Sequence, residues 1–122
     1  MVANKTRTLL SSAARTATVA TADQRNAEHR GVRVHINVTA IAASPSVVAT
    51  VQGKDPVTGD YYDLLASAAI TAAGDTWLVV YPGATAAANA AANSALPPVW
   101  RVNLVHGDAD SITYSVTAEL LI

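Results

Sequence analysis

Hydrophobic and polar residues alternate along much of this chain with the period of two that is typical of β-strands. The clearest example is residues 31–41, where every second position is apolar: Val32, Val34, Ile36, Val38 and Ala40. The intervening side chains are mostly polar, so one face of this segment belongs to a core and the other faces water or a partner. The pattern predicts a half-buried antiparallel strand.

Further strands are predicted at residues 47–52, 61–65, 76–81, 99–106 and 111–121. Gly, Pro and Asp residues separate them and supply turns. The continuous apolar run within residues 76–81 favours a strand that is covered on both faces. Residues 84–95, rich in Ala and Asn, are expected to form a loop or one marginal helix.

The beginning of the chain shows a weaker pattern. Residues 12–20 alternate small and polar side chains, which is compatible with an edge strand or with an arm that pairs with another subunit. Residues 1–11 are expected to be mobile. The sequence therefore predicts an all-β fold: a small antiparallel β-sandwich or jelly roll over residues 31–122, with an extended N-terminal arm over residues 1–30.

Composition adds a reason to expect assembly. The chain has 122 residues, enough for one domain; 51% are hydrophobic and only 14% are charged, against a usual charged share of about 25%. Alanine accounts for 26 residues and phenylalanine is absent, so the core is built from small side chains that each bury little area. A thin core of this kind favours burial of further surface in an oligomer.

Charge is distributed unevenly although the net charge is only -1. Residues 1–33 hold six basic and two acidic residues, whereas residues 34–122 hold two basic and seven acidic ones. The low net charge argues against a protein that coats nucleic acid. A basic leading segment on an acidic body can instead pair with a neighbouring copy or with an acidic partner.

Residues that carry chemistry are sparse. There is no cysteine, so disulfides, thiol catalysis and cysteine-based zinc sites are excluded. The three histidines, His29, His35 and His106, lack the spacing of a metal pair, and turn formation accounts for the aspartates near residues 55–63. No nucleophile elbow or phosphate-binding loop is present. We therefore expect no enzymatic activity, no cofactor and no metal.

Aromatic residues offer a few candidate contacts. Trp100 and Tyr114 lie on the apolar faces of their strands and are expected in the core, while Trp77 and Tyr81 flank the buried run. Tyr61 and Tyr62 are adjacent and must point to opposite sides of a strand, so one of the two rings is expected to be exposed.

Several segments resemble small virion proteins of tailed bacteriophages. The segments are 51–65 (VQGKDPVTGDYYDLL), 81–83 (YPG), 96–102 (LPPVWRV) and 111–116 (SITYSV), with 14–18 (ARTAT) and 30–32 (RGV) near the start. The resemblance covers most of residues 12–122. It implies a structural role, with a capsid decoration or minor head protein ahead of a tail component.

This resemblance implies a location on the capsid surface after synthesis in the host cytoplasm, with the major capsid protein as partner. It also implies a homo-oligomer, expected to be a trimer, and no binding to nucleic acid or membrane. The candidate capsid or subunit interface comprises Arg7, Arg15, Arg25, Arg30, Lys54, Tyr61 and Tyr62.

Two other functions remain open at this point. One is a tail component, either a baseplate subunit or a tail tube or tail terminator subunit, and a tube or terminator subunit should form hexameric rings. A carbohydrate-binding receptor module would use Tyr61 or Trp77 to stack on sugar rings.

Overall fold

A computed structural model describes residues 2–122, which form ten β-strands. Within this range there is no helix, and hence none long and apolar enough to cross a membrane. The strands are β1 (Lys5–Arg15), β2 (Val19–Ala20), β3 (Gln24–Arg25), β4 (Gly31–Ile41), β5 (Val47–Lys54), β6 (Tyr61–Ala66), β7 (Gly74–Val80), β8 (Ala91–Ala92), β9 (Val99–His106) and β10 (Ile112–Leu121).

The strands form two sheets that pack face to face as a β-sandwich. Sheet A has the order β1-β10-β4-β7-β8; sheet B has the order β2-β9-β5-β6, with β3 also paired to β9. All pairs are antiparallel except β7 with β8. The prediction of an all-β sandwich is confirmed.

The core lies between the sheets and follows the alternation read from the sequence. On β4 the side chains of Val32, Val34, Ile36 and Val38 are buried. Trp100 and Tyr114 are fully buried, as predicted. Ala40 is exposed because the register between β4 and β10 shifts next to Tyr114, which ends the inward alternation of β4 at Val38.

The N-terminal segment is not an extended arm, and the expected mobility of residues 1–11 is wrong for residues 5–11. Residues 5–15 form β1, which pairs with β10 along its length and has two register shifts. β2 and β3 add to β9 in sheet B. The half-buried side chains of Leu9 and Leu10 pack against the core, which gives this polar segment enough apolar contact to join the sandwich.

One other expectation also differs from the structure. The strand at residues 76–81 is not covered on both faces: on β7, Leu78 and Val80 are buried, whereas Trp77 is half-exposed. Of the two conformations expected for residues 84–95, the loop is the one observed: they contain no helix, but turns and the two-residue strand β8. β8 is held by the parallel register of Ala91 with Val79 and Ala92 with Val80.

Gly31 begins β4 at a point of close approach between strands. A Cβ atom at this position would collide with the backbone carbonyl oxygen of Val80 and with Tyr81.

We expect Gly31→Ala to lower the free energy of unfolding by about 1–3 kcal/mol, because the backbone has to shift. Gly107→Ala is the matched control, since its Cβ would lie 3.7 Å from Ser46. Urea denaturation measures both, and equal midpoints for the two variants would contradict the prediction.

Candidate functional site

Trp77 is the largest aromatic side chain on the outer face of sheet A. It is 51% exposed, whereas the other tryptophan, Trp100, is completely buried. Its position on β7 puts it on the face opposite Leu78, so burial of Leu78 and Val80 in the core leaves the indole outside. An exposed tryptophan is informative because large apolar side chains are usually buried.

The indole of Trp77 is held in place by His35 on the neighbouring strand. The two residues are direct partners in the β4–β7 register. Their rings are stacked, with centroids 3.9 Å apart and planes only 6° from parallel. His35 Nε2 lies 2.8 Å from Asp75 Oδ1, so the imidazole is fixed between a carboxylate and an indole face.

Charged residues border the same part of sheet A. Arg33 and Glu119 are partners in the β4–β10 register and form an ion pair. The Arg33 guanidinium lies 5.9 Å from the centroid of the Trp77 ring. Together with Thr6 and Thr117, these residues line a shallow depression of about 190 Å³, smaller than the ~300–1,000 Å³ of a usual ligand pocket.

A second polar cluster lies on the outer face of sheet B around Tyr61. The Tyr61 hydroxyl donates to Asp23 Oδ1 at 2.6 Å, and Lys54 Nζ donates to Asp23 Oδ2 at 2.9 Å. These hydrogen bonds, first that of Tyr61 and then that of Lys54, lower the pKa of Asp23 below its ordinary value. The Arg101 guanidinium covers the Tyr61 ring at 3.4 Å from its centroid. Tyr61 and Lys54 therefore fasten the segment before β3 to sheet B.

Tyr62 points to the opposite side from Tyr61, as the sequence predicts. It is 45% exposed, and its ring fills the space that a Cβ atom on Gly53 would occupy. Of the two adjacent tyrosines, Tyr62 is the one available for contact with a partner.

The four predicted interface arginines fall into two groups. Arg15 donates to the carbonyl oxygens of Tyr114 at 2.5 Å and Ser11 at 2.7 Å and lies 4.6 Å from the Tyr114 ring centroid. Arg7 donates to Gln24 Oε1 and to the carbonyl oxygen of Arg25. These contacts give Arg15 and Arg7 structural roles within the sandwich.

Arg25 and Arg30 are exposed, and Arg30 lies over the ring of Tyr81. Interface roles for the four arginines, Lys54 and the two tyrosines stay predictions.

The two ends of the described chain meet at one end of the sandwich. Ile122 N donates to Asn4 Oδ1 at 3.0 Å, and the Tyr81 hydroxyl donates to the Ile122 carbonyl oxygen at 2.7 Å. An open groove of about 780 Å³ lies there, lined mostly by apolar side chains that include Val2 and Val79. Ile122 itself is 52% exposed.

The histidines lie apart. His29 Nε2 contacts the carbonyl oxygen of Ala3, His35 contacts Asp75, and His106 Nε2 lies 3.0 Å from the hydroxyl of Tyr114. Within residues 2–122, no three His, Asp or Glu side chains cluster in a way that could hold a metal ion. The structure brings His35 and His106 to different sheets.

The sequence offered Trp77, with Tyr61, as a ring that could stack on sugars, but it did not decide whether Trp77 is exposed. The signal was present: Asp75, Trp77 and Val79 alternate with Thr76, Leu78 and Val80. The aspartate marks the outer face of β7, but the run of apolar residues from 77 to 80 concealed the period of two.

Comparisons with known proteins give no match: no family model, curated protein or solved structure is significantly similar to this chain.

Substitution distinguishes the arginines that have structural roles, such as Arg15, from the exposed arginines, such as Arg25. We expect Arg15→Ala to lower the free energy of unfolding by about 1–3 kcal/mol, because it removes hydrogen bonds to two carbonyl groups and the packing on Tyr114. The control, Arg25→Ala, removes an exposed side chain and should change stability by less than about 0.5 kcal/mol. Urea denaturation of both variants checks this, and an equal loss would remove the structural role of Arg15.

His106 should make stability depend on pH. Burial lowers its pKa below the ordinary value of 6.5; Arg15 acts in the same direction and the Asp108 carboxylate opposes it. Below about pH 6.5 the unfolded chain binds this proton more readily than the folded chain, so the free energy of unfolding falls as the solution is acidified.

Wild-type protein should therefore lose more stability between pH 7.5 and pH 5.5 than His106→Gln, measured by urea denaturation at both pH values. The other titrating groups are common to both proteins and cancel in the comparison. Equal losses would show that His106 does not contribute.

Proposed function

We propose that this chain is a non-enzymatic structural protein of a virion, a capsid decoration protein that binds the outer shell as a homotrimer and stabilises it. The virion setting rests on the resemblance of residues 51–65 and the other quoted segments to small phage proteins. The oligomeric role rests on one observation, the opposite charges of the two open sheet edges.

Strand β1 is an outer strand of sheet A and pairs only with β10. It carries Lys5, Arg7 and Arg15, and residues 2–22 contain no acidic residue. Strand β6 is an outer strand of sheet B and pairs only with β5. It carries Asp63 and follows Asp55 and Asp60. Lys54 and Arg101 also lie against Tyr61 at the start of β6, and Lys54 is paired with Asp23.

These two edges lie on opposite sides of the sandwich. β1 lies beside β3, since Arg7 contacts Gln24, whereas β6 contacts β7 and β8 at the other side. A basic edge on one subunit can thus meet the acidic edge of the next, and a head-to-tail contact of this kind closes into a ring when the rotation between subunits permits. Complementary charge sets the orientation of the contact, and Tyr62 supplies an aromatic anchor beside Asp63.

The shell contact is assigned to the end of the sandwich where the chain ends meet. Its groove exposes Val2 and Ile122 to solvent, and Arg30 lies over Tyr81 at the border of the groove. Apolar surface that is bordered by a positive charge suits an acidic, partly apolar surface of the major capsid protein.

Charge reversal at each edge tests the proposed ring of subunits. Lys5→Glu with Arg7→Glu, or Asp60→Lys with Asp63→Lys, should each reduce trimer affinity at least about tenfold, because like charges then face each other. The fourfold variant that reverses both edges should recover the trimer, since its edges are again complementary. Mass photometry at low and physiological salt measures the populations, and circular dichroism confirms that each variant is folded.

Persistence of the trimer in both double variants would overturn the edge contact. A six-membered ring would contradict the trimer and favour the tail component.

The virion setting is tested separately by cryo-electron microscopy of the virion that carries this protein. Density of about 12 kDa per copy at threefold or quasi-threefold positions of the capsid is the expected result. Density confined to the tail would overturn the decoration role while leaving the ring contact intact.

A further inference from the structure

We propose that the outer face of sheet A around Trp77 is a carbohydrate-binding site that takes one uncharged pyranose ring, stacked on the open face of the indole. The site goes beyond the proposed structural role and stands independently of it. It is built from the indole of Trp77, which His35 and Asp75 hold in place.

The indole has one covered face and one free face. His35 lies against one face, with ring centroids 3.9 Å apart. On the other side of β7 the next strand, β8, pairs only with Val79 and Val80, so no strand lies beside Trp77 there. Exposure of 51% of the residue agrees with one free face.

Contacts with neighbouring side chains also preorganise the indole for a ligand. Stacking against His35 restricts rotation of the indole, and the His35–Asp75 contact of 2.8 Å restricts the imidazole in turn. A ligand that stacks on Trp77 therefore loses little binding free energy to the ordering of the side chain.

The chemistry of the surroundings fits a sugar. The face of an aromatic ring is electronegative, and the axial C–H groups on one side of a pyranose carry partial positive charge, so the two surfaces attract. Hydroxyl groups at the rim of the sugar need hydrogen-bond partners. The Asp75 carboxylate, two residues from Trp77 on the same face of β7, supplies an acceptor.

A sugar fits this surface better than a protein partner does. Protein hot spots lie at the centre of apolar, desolvated patches, whereas the depression beside Trp77 is lined mostly by polar residues such as Thr6, Thr117 and Glu119. The Asp75 carboxylate beside Trp77 disfavours an anionic sugar over a neutral one.

The site stays accessible in the proposed ring, because ring formation uses the lateral edges β1 and β6, whereas Trp77 lies on the outer face of sheet A. Val79, which lines the terminal groove, lies two residues from Trp77 on the same face of β7, a distance of about 7 Å. A sugar stacked on Trp77 therefore lies next to the proposed shell contact.

The two tryptophans make the test direct, because only Trp77 is accessible to solvent and Trp100 is buried. The full chain is titrated with cellohexaose, mannohexaose and β-1,4-galactohexaose, and tryptophan emission and acrylamide quenching are recorded. We expect a saturable blue shift and protection from quenching with at least one neutral oligosaccharide. Oligosialic acid, the anionic comparison, should bind at least about tenfold more weakly.

Substitutions test whether the saccharide binds at Trp77. Trp77→Ala should abolish binding, measured by isothermal titration calorimetry because the variant lacks the fluorescent reporter, whereas Trp77→Phe should retain part of it through its smaller ring. Asp75→Asn should weaken binding by about three- to tenfold while keeping the stacked rings. Val105→Ala, an exposed apolar residue on sheet B, is the control and should bind like the wild type.

Three results would overturn the proposal. These are the absence of saturable binding to every neutral probe, equal binding by Trp77→Ala, and preferential binding of oligosialic acid. If Trp77→Ala lost capsid occupancy and the wild-type protein bound no saccharide, the Trp77 indole would be assigned to a protein interface instead. None of these outcomes changes the trimer populations that test the ring contact.

Discussion

The pairing of β4 with β10 at the centre of sheet A is the constraint on which the rest of the structure depends. Val34 lies opposite Ala118 and both are buried. Because side chains alternate strictly along a strand, burial of this pair puts its neighbours, Arg33 and Glu119, on the outer face opposite each other. The ion pair, the stacked rings beside it and the exposed face of Trp77 thus follow from a core contact, and a shift of register by one residue would exchange the two faces.

The strands with clear alternation could be predicted from sequence, and the contacts between distant segments could not. β4, β9 and β10 have unbroken alternation, so their inward residues, Trp100 and Tyr114 among them, were evident. The pairing of β1 with β10 joins segments about 100 residues apart, and no local pattern encodes it. The exposure of Trp77 could not be decided from sequence, because a tryptophan among valines resembles core and its exposure depends on β8 being only two residues long.

The exposed ion pairs of this fold contribute little to its stability. Arg33–Glu119 and Lys54–Asp23 join distant parts of the chain across sheet surfaces, where solvent screens the attraction between the charges. The larger effect of the charged residues is on the distribution of charge. The sandwich places the basic strand β1 and the aspartates beside β6 on opposite sides, so a nearly neutral molecule acquires a lateral polarity.

The position of β10 between β1 and β4 also sets an order of events during synthesis. Residues 5–15 are synthesised before the other strands of the sandwich, yet their partner strand spans residues 112–121. Sheet B contains all its strands by residue 106, whereas sheet A lacks the strand that joins β1 to β4 until β10 has been made. Such distant pairings slow folding, so β1 has no partner until about 100 further residues have been added to the chain.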